Sequence, residues 1–152
     1  MGRFLEGSDA LLTEDEVQAI IAGHILADQN QRNVWAVTLD DLPVGAITLN
    51  FLKARRVAEI GYHIKSALWN KGYASEAAKA VVDAAFECCP DLQRVQAGIH
   101  PENKGSIYVV KKLGMKHEGT LRAFAFIRGN AADEAVYAVL RNEYRDAPHA
   151  QH

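Results

Sequence analysis

The stretch from Ala58 to Pro90 restricts the fold more than any other part of the chain. Ala58-Glu-Ile-Gly-Tyr-His-Ile alternates apolar and polar residues as a half-buried strand does, ending near Lys65. Trp69-Asn-Lys-Gly-Tyr-Ala-Ser-Glu-Ala follows. Apolar Ala77, Ala78, Val81, Val82, Ala85 and Phe86 then recur at helical spacing from Ser75 to about Cys88, with Pro90 as the stop. A strand, a glycine-containing turn and a helix N-terminus make an anion site. The first helix amides have no intrahelical partner, and the helix dipole places partial positive charge there. Gly72 lets backbone approach a ligand closely, Ala74 is small for the same reason, and Lys71 adds charge. Ser75 can cap the helix or bond a phosphate oxygen. Taken alone, the pattern describes a plain helix start equally well. It is neither a P-loop, whose spaced glycines and Gly-Lys-Ser/Thr ending are missing, nor a dinucleotide fingerprint.

The remaining elements surround this unit. Thr13-Glu-Asp-Glu reads as a capped, acidic helix start, with Val17, Ile20, Ile21, His24 and Ile25 on one face and an end near Asp28. Asn33 to Leu39 and Val44 to Leu52 read as strands joined through Asp40-Asp-Leu-Pro, and Ala58 to Ile64 completes an antiparallel meander. After the long helix come a strand from Arg94 to Ile99 and a helix from Asn103 to Leu113 stopped by Gly114. Two last strands, Leu121 to Arg128 and Glu134 to Leu140, flank a Gly129-Asn130 turn. The expected order is α-β-β-β-α-β-α-β-β, a mixed α/β layer fold.

Residues 1–152 fit one domain, and 49% apolar with 24% charged residues suffices for a packed core. A net charge of -2 gives no sign of a nucleic-acid-binding domain. No apolar run approaches the roughly 20 residues of a membrane span, and the N-terminus lacks a signal-peptide core. The two cysteines, Cys88 and Cys89, are adjacent, which suits reduced helix-end thiols in a cytoplasmic protein. No Cys/His spacing resembles a zinc site, so no metal is expected.

Trp69 to Ala77 resembles the acetyl-CoA pyrophosphate loop of the GNAT acetyltransferases, whose usual form is Gln/Arg-x-x-Gly-x-Gly/Ala. Glu59-Ile-Gly-Tyr before it, and His100-Pro-Glu-Asn-Lys-Gly-Ser, Lys112-Leu-Gly-Met and Glu118-Gly after it, look like the RimJ/RimL-like branch. That branch acetylates protein N-termini, ribosomal ones among them, and assorted small amines. The resemblance runs from about Asn33 to Tyr144, with the motifs in family order. It implies the GNAT acyl-CoA N-acyltransferase fold with acetyl-CoA as co-substrate. Three departures stand out. Trp69 takes the Gln/Arg position, and Asn70 stands where the branch commonly has glycine. The chain also starts too late for the strand and helix with which members usually begin, so the expected fold is N-terminally short and lacks both.

The resemblance implies roles residue by residue. Trp69, Asn70, Lys71, Gly72, Tyr73, Ala74 and Ser75 would hold the pyrophosphate. Tyr62, His63 and Ile64 would pair with the pantetheine arm through their backbone. Glu59 would face the acceptor and act as base through water; from the sequence alone it is equally an exposed strand glutamate or an ion-pair partner of Arg55 or Arg56. Asn103 would bond the pantetheine arm as well as cap its helix, and Ser106 would lie near the thioester sulfur and protonate or stabilise the thiolate. Lys111, with Lys112, would meet the 3′-phosphate end, or is a solvated helix-end pair. The tyrosine acid used by many members outside the branch falls here at Val110, and Tyr108 is offset from it.

The sequence therefore leads to an N-acetyltransferase that moves an acetyl group from acetyl-CoA to the amine of a protein N-terminus or a small molecule. An acyl-CoA-binding module without turnover is the alternative, since the first strand and the tyrosine acid are missing. A sheet edge left bare by that missing strand predicts pairing with a second copy of the chain.

Overall fold

The computed structural model describes residues 2–6, 21–26, 32–40 and 42–146. One mixed sheet of seven strands runs through it: β1 (Gly2–Glu6), β2 (Arg32–Leu39), β3 (Leu42–Leu52), β4 (Val57–Ile64), β5 (Arg94–Ile99), β6 (Lys116–Ile127) and β7 (Asn130–Leu140). Their spatial order is β1-β2-β3-β4-β5-β7-β6. The helices are α1 (21–26), α2 (Tyr73–Cys88), α3 (Lys104–Lys112) and α4 (Arg141–Asp146), with a single 3-10 turn at Ser66–Leu68. No described helix is long and apolar enough to cross a membrane. The Thr13 cap, Val17 and Ile20 of the expected first helix lie outside the described residues.

A first strand is present, contrary to expectation. Gly2–Glu6 pairs parallel with β2, from Gly2 opposite Val34 to Glu6 opposite Thr38. Five residues with no repeating apolar period carry no strand signal of their own; the neighbouring edge of β2 recruits them. The bare edge of β2 on which pairing with a second copy was expected is thus covered. The last two strands also start earlier than their sequence signals, because cross-strand pairing with each other extends β6 back to Lys116 and β7 back to Asn130.

The core lies between one sheet face and the helices. Trp35, Ile47, Leu49, Ala58, Ile60, Val95 and Val139 from the strands meet Ala78, Val81, Val82 and Ala85 of α2, with Ile21 and Ile25 of α1 and Val110 of α3 in the same cluster. Alternation sends Glu59, Gln96 and Glu134 to the other face. Cys89 is buried and Cys88 half-buried, with their sulfurs 3.3 Å apart. Arg141 locks the end of α2 to the end of β7: its Nε donates to the Leu92 carbonyl at 2.7 Å and its Nη2 to the Cys89 carbonyl at 2.5 Å, with the guanidinium stacked on Phe86.

Between β3 and β4 the backbones approach so closely at Gly45 that a Cβ there would stand 2.2 Å from the His63 carbonyl oxygen. That contact fixes the end of β4, where the loop toward α2 begins. Gly45→Ala is expected to destabilise the fold by about 2–3 kcal/mol, as overpacking against backbone does. A urea-unfolding midpoint equal to that of the parent would contradict this.

Candidate active site

The parallel pairing of β4 with β5 lasts for three residue pairs and then stops: Val57 with Arg94, Ala58 with Val95 and Glu59 with Gln96. Beyond Glu59 each strand stays on its other neighbour, β4 on β3 through Ile64 opposite Gly45, and β5 on β7 through Ile99 opposite Ala135. The two strands therefore part in mid-sheet. Backbone groups of Ile60 to Ile64 that would have faced β5 have no strand to bond, and such groups are obligatory hydrogen-bonding sites.

The fork opens into a cleft of about 840 Å³ between the end of β4, the start of α2 and the start of α3. Its floor is Tyr62, His63 and Ile64. One wall is the turn from Leu68 to Ser75, and the other is the α3 segment from Glu102 to Val109, with Lys112 one turn further on. Most of the residues chosen from sequence come together here: Tyr62, His63, Ile64, Trp69, Asn70, Gly72, Tyr73, Ala74, Ser75, Asn103 and Ser106.

The turn is shaped by its backbone. Trp69 donates from its indole Nε1 to the Ile64 carbonyl at 2.7 Å, tying the turn to the strand end while the ring stays exposed. Asn70 at φ 64 and Gly72 at φ 85 both adopt the left-handed conformation, which asparagine tolerates and glycine takes without strain. Gly72 is the helix N-cap, and the first bond back to it is from Glu76 N at 2.9 Å. The amides of Tyr73, Ala74 and Ser75 precede that bond and have no intrahelical acceptor. A Cβ on Gly72 would meet nothing within 4 Å, so the space beside this cap is open. Unpaired helix amides, an open cap and a partial positive charge suit a phosphate-bearing ligand. Ser75 does not cap the helix, contrary to one of its two expected roles. The left-handed Gly72 turns the chain three residues earlier, so Ser75 sits inside the first turn and lines the cleft.

On α3, Asn103 is the cap: its Oδ1 accepts from Ser106 N at 3.1 Å. The Tyr62 hydroxyl donates to the Ser106 carbonyl at 2.8 Å and so clamps α3 to β4. Burial pushes the Tyr62 phenol well above its usual range, more than the Ser106 side chain lowers it, so the proton stays on the phenol. Ser106 lines the cleft beside Asn103. Val110, at the position of the absent tyrosine, is buried in the core.

Three site residues fall elsewhere. Lys71 is exposed on the turn and does not line the cleft, because the left-handed residues on either side of it hold the cleft-facing positions. Lys111 does not line it either; Lys112 does. Around the α3 axis Lys112 lies within about 60° of Gly105, Tyr108 and Val109, which line the cleft, whereas Lys111 is rotated about 100° from Lys112, away from them. The i, i+4, i+8 series was the available signal for Lys104, Tyr108 and Lys112. Glu59 sits on the opposite sheet face, at the last β4–β5 pair, and accepts from Gln96 Nε2 at 3.1 Å rather than from Arg55 or Arg56.

Residues 2–116 match the Acetyltransferase (GNAT) domain family. The chain is 29% identical over 138 residues to the Bacillus licheniformis protein named Uncharacterized N-acetyltransferase p20, covering 90% of this chain and 76% of that one. It is 28% identical to the spermidine N(1)-acetyltransferase of Escherichia coli over 77% of this chain and 62% of that protein. Among solved structures, Mycobacterium smegmatis RimJ in complex with CoA-disulfide superposes with a TM-score of 0.71 at 27% identity, covering 80% of this chain and 58% of RimJ.

Replacing Gly72 by alanine puts a Cβ on a left-handed residue and is expected to cost about 1–2 kcal/mol, read from urea unfolding. Asn70→Gly is expected to be about neutral, since the turn already takes that conformation. Equal losses from both substitutions would show that the backbone angle at Gly72 is not what matters.

Proposed function

The chain belongs to the GNAT acetyltransferases, and we propose that it transfers an acetyl group from acetyl-CoA to a primary amine, on a protein N-terminus or a small molecule, by direct attack in a ternary complex. The observation that carries this reading is the fork of β4 and β5 beside the open start of α2. It sets unpaired strand backbone and unpaired helix amides around one cleft, as an extended, phosphate-ended ligand requires.

Acetyl-CoA supplies an activated thioester when bound. The Tyr73, Ala74 and Ser75 amides hold the pyrophosphate, with the α2 dipole behind them. Backbone groups of Tyr62 to Ile64 bond the pantetheine arm, as a strand would. Asn103 fixes the start of α3, and with it the Ser106 hydroxyl at the cleft wall. Lys104 and Lys112 on the same wall add positive charge for the 3′-phosphate end. The bond made is amine nitrogen to acetyl carbon, and the bond broken is acetyl carbon to sulfur. The amine gives its proton through Glu59, directly or by water, to solvent, and the Ser106 hydroxyl stabilises the departing thiolate by hydrogen bonding or relays to it a proton taken from solvent, so that Ser106 ends as the neutral alcohol. Glu59 suits its part because it stands where the strands separate, on the face away from α2 and open to an incoming amine. The relatives' names include both a spermidine acetyltransferase and RimJ, so both acceptor classes stay within the reading.

Thermal melting with acetyl-CoA and with coenzyme A, followed by thiol release across an amine panel, tests the proposal. Stabilisation by both ligands and release with at least one amine are expected. Stabilisation without release on any acceptor would instead identify an acyl-CoA-binding module. Glu59→Gln is expected to lower kcat about 100-fold, within the usual range for a general base, while the melting shift with coenzyme A persists. Ser106→Ala is expected to lower kcat about tenfold; undiminished turnover in either variant would remove that residue from the mechanism.

A further inference from the structure

The two cysteines take no part in the proposed chemistry, and they stand at the other end of α2 from the cleft. At a rise of about 1.5 Å per residue, the 16 residues of α2 put roughly 24 Å between them and its start. Within a helix, neighbouring side chains point about 100° apart. Cys88 is the last residue of α2, but Cys89 leaves helical backbone at φ -121 and ψ 88, and Pro90 bars any continuation. That departure brings the two sulfurs to 3.3 Å. Cys88 is half-buried and Cys89 is 7% exposed, so the pair lies where the core meets the surface.

Two arginines from distant parts of the chain close on it. Arg141 bonds the Cys89 carbonyl. Arg55 lies on the turn between β3 and β4, where Lys53, Ala54 and Arg55 all hold left-handed backbone at φ 52, 55 and 65. Its guanidinium stacks on Phe51 at 4.6 Å, donates to the Ile25 carbonyl at 3.3 Å and stands within hydrogen-bond reach of Cys89. The bond from the Cys88 thiol and both guanidiniums bring the Cys89 thiol down to about 7, against its burial, so reactive thiolate is present at neutral pH.

The spacing of the pair selects what it can hold. A disulfide normally needs Cα atoms at least about 4.4 Å apart, whereas neighbours across a trans peptide stand about 3.8 Å apart. Tetrahedral zinc, with Zn–S bonds of about 2.3 Å, sets its sulfurs about 3.8 Å apart and takes two further ligands in a structural site. Among the described residues no group of three or more His, Cys, Asp or Glu could hold a metal ion. A linear two-coordinate metal spreads its sulfurs wider still. A pyramidal centre with bond angles near a right angle brings two sulfurs closer than a tetrahedral one does, and it carries its third substituent with it. Trivalent arsenic bearing one organic group is such a centre.

We infer that Cys88 and Cys89 form a dithiol site that chelates monosubstituted trivalent arsenicals of the class R–As=O. Two As–S bonds form and the As=O bond breaks. Its oxygen leaves as water with both thiol protons, and arsenic stays trivalent. The reagent meets the half-buried Cys88 first, and the Cys89 sulfur closes the chelate from 3.3 Å away. The second bond is intramolecular, so the adduct resists a monothiol and yields to a competing dithiol.

Phenylarsine oxide added to the folded chain tests this without reference to acetyl transfer. The chain has two cysteines, so an adduct can form only on this pair. Intact mass is expected to show a single phenylarsine per chain with one water lost, and the titratable thiols to disappear together. Excess 2-mercaptoethanol is expected to leave the adduct in place, and 2,3-dimercaptopropanol to remove it. Cys88→Ala is expected to weaken retention against the monothiol about 100-fold, as loss of the intramolecular bond requires. A parent adduct stripped by the monothiol, two arsenicals on one chain, or an adduct that forms only in urea would overturn the inference. So would a Cys88→Ala chain that keeps the arsenical as well as the parent does.

Discussion

The parting of β4 from β5 is the constraint on which the rest of this molecule depends. A parallel pair inside a sheet normally satisfies itself along its length, and three residue pairs followed by a fork leave backbone donors and acceptors exposed in mid-sheet. Such a gap is held open by the partners on either side. β4 is kept on β3 by full antiparallel pairing, and the near contact of Gly45 with the His63 carbonyl leaves no room for adjustment. β5 is kept on β7 for its full length. The fork persists because each strand is more completely bonded to its outer neighbour than the two could be to each other.

Around that gap the helices supply what a sheet lacks. The left-handed Gly72 starts α2 at the mouth of the fork, so its unpaired amides and dipole face the same space as the unpaired strand backbone. Tyr62 reaches from β4 to the Ser106 carbonyl and sets α3 as the opposite wall. Ser106 is thereby placed on the cleft wall by two backbone bonds, one at its amide and one at its carbonyl. The two sides of the sheet differ accordingly: the cleft opens on the helix side, and Glu59 and Glu134 stand on the other.

The turn from Trp69 to Ser75 was legible in the sequence because its shape depends on local backbone properties. Glycine at a left-handed cap and a helix pattern directly behind it are sequence-local facts. The pair Asn103 and Ser106 was legible for the same reason, since a cap and its third helical residue have fixed spacing. Lys111 was chosen over Lys112 because adjacent lysines look alike in a sequence, and only rotation about a placed helix axis separates them. The strand at Gly2–Glu6 had no period to reveal it and exists through its neighbour β2.

The sequence by itself determined the order of the strands and the two longer helices from Arg32 to Leu140, the glycine-containing helix start and the family, because each is written in spacing along the chain. Only the tertiary structure decided that β4 and β5 separate after Glu59, that Glu59 bonds Gln96 rather than a neighbouring arginine, and that Glu134 lies over Gly98. Those three facts join residues 36 or 37 positions apart in the chain. The physical reason is that pairing register and side-chain facing are properties of neighbouring strands, and a strand's sequence specifies which residues share a face but not what stands beside them.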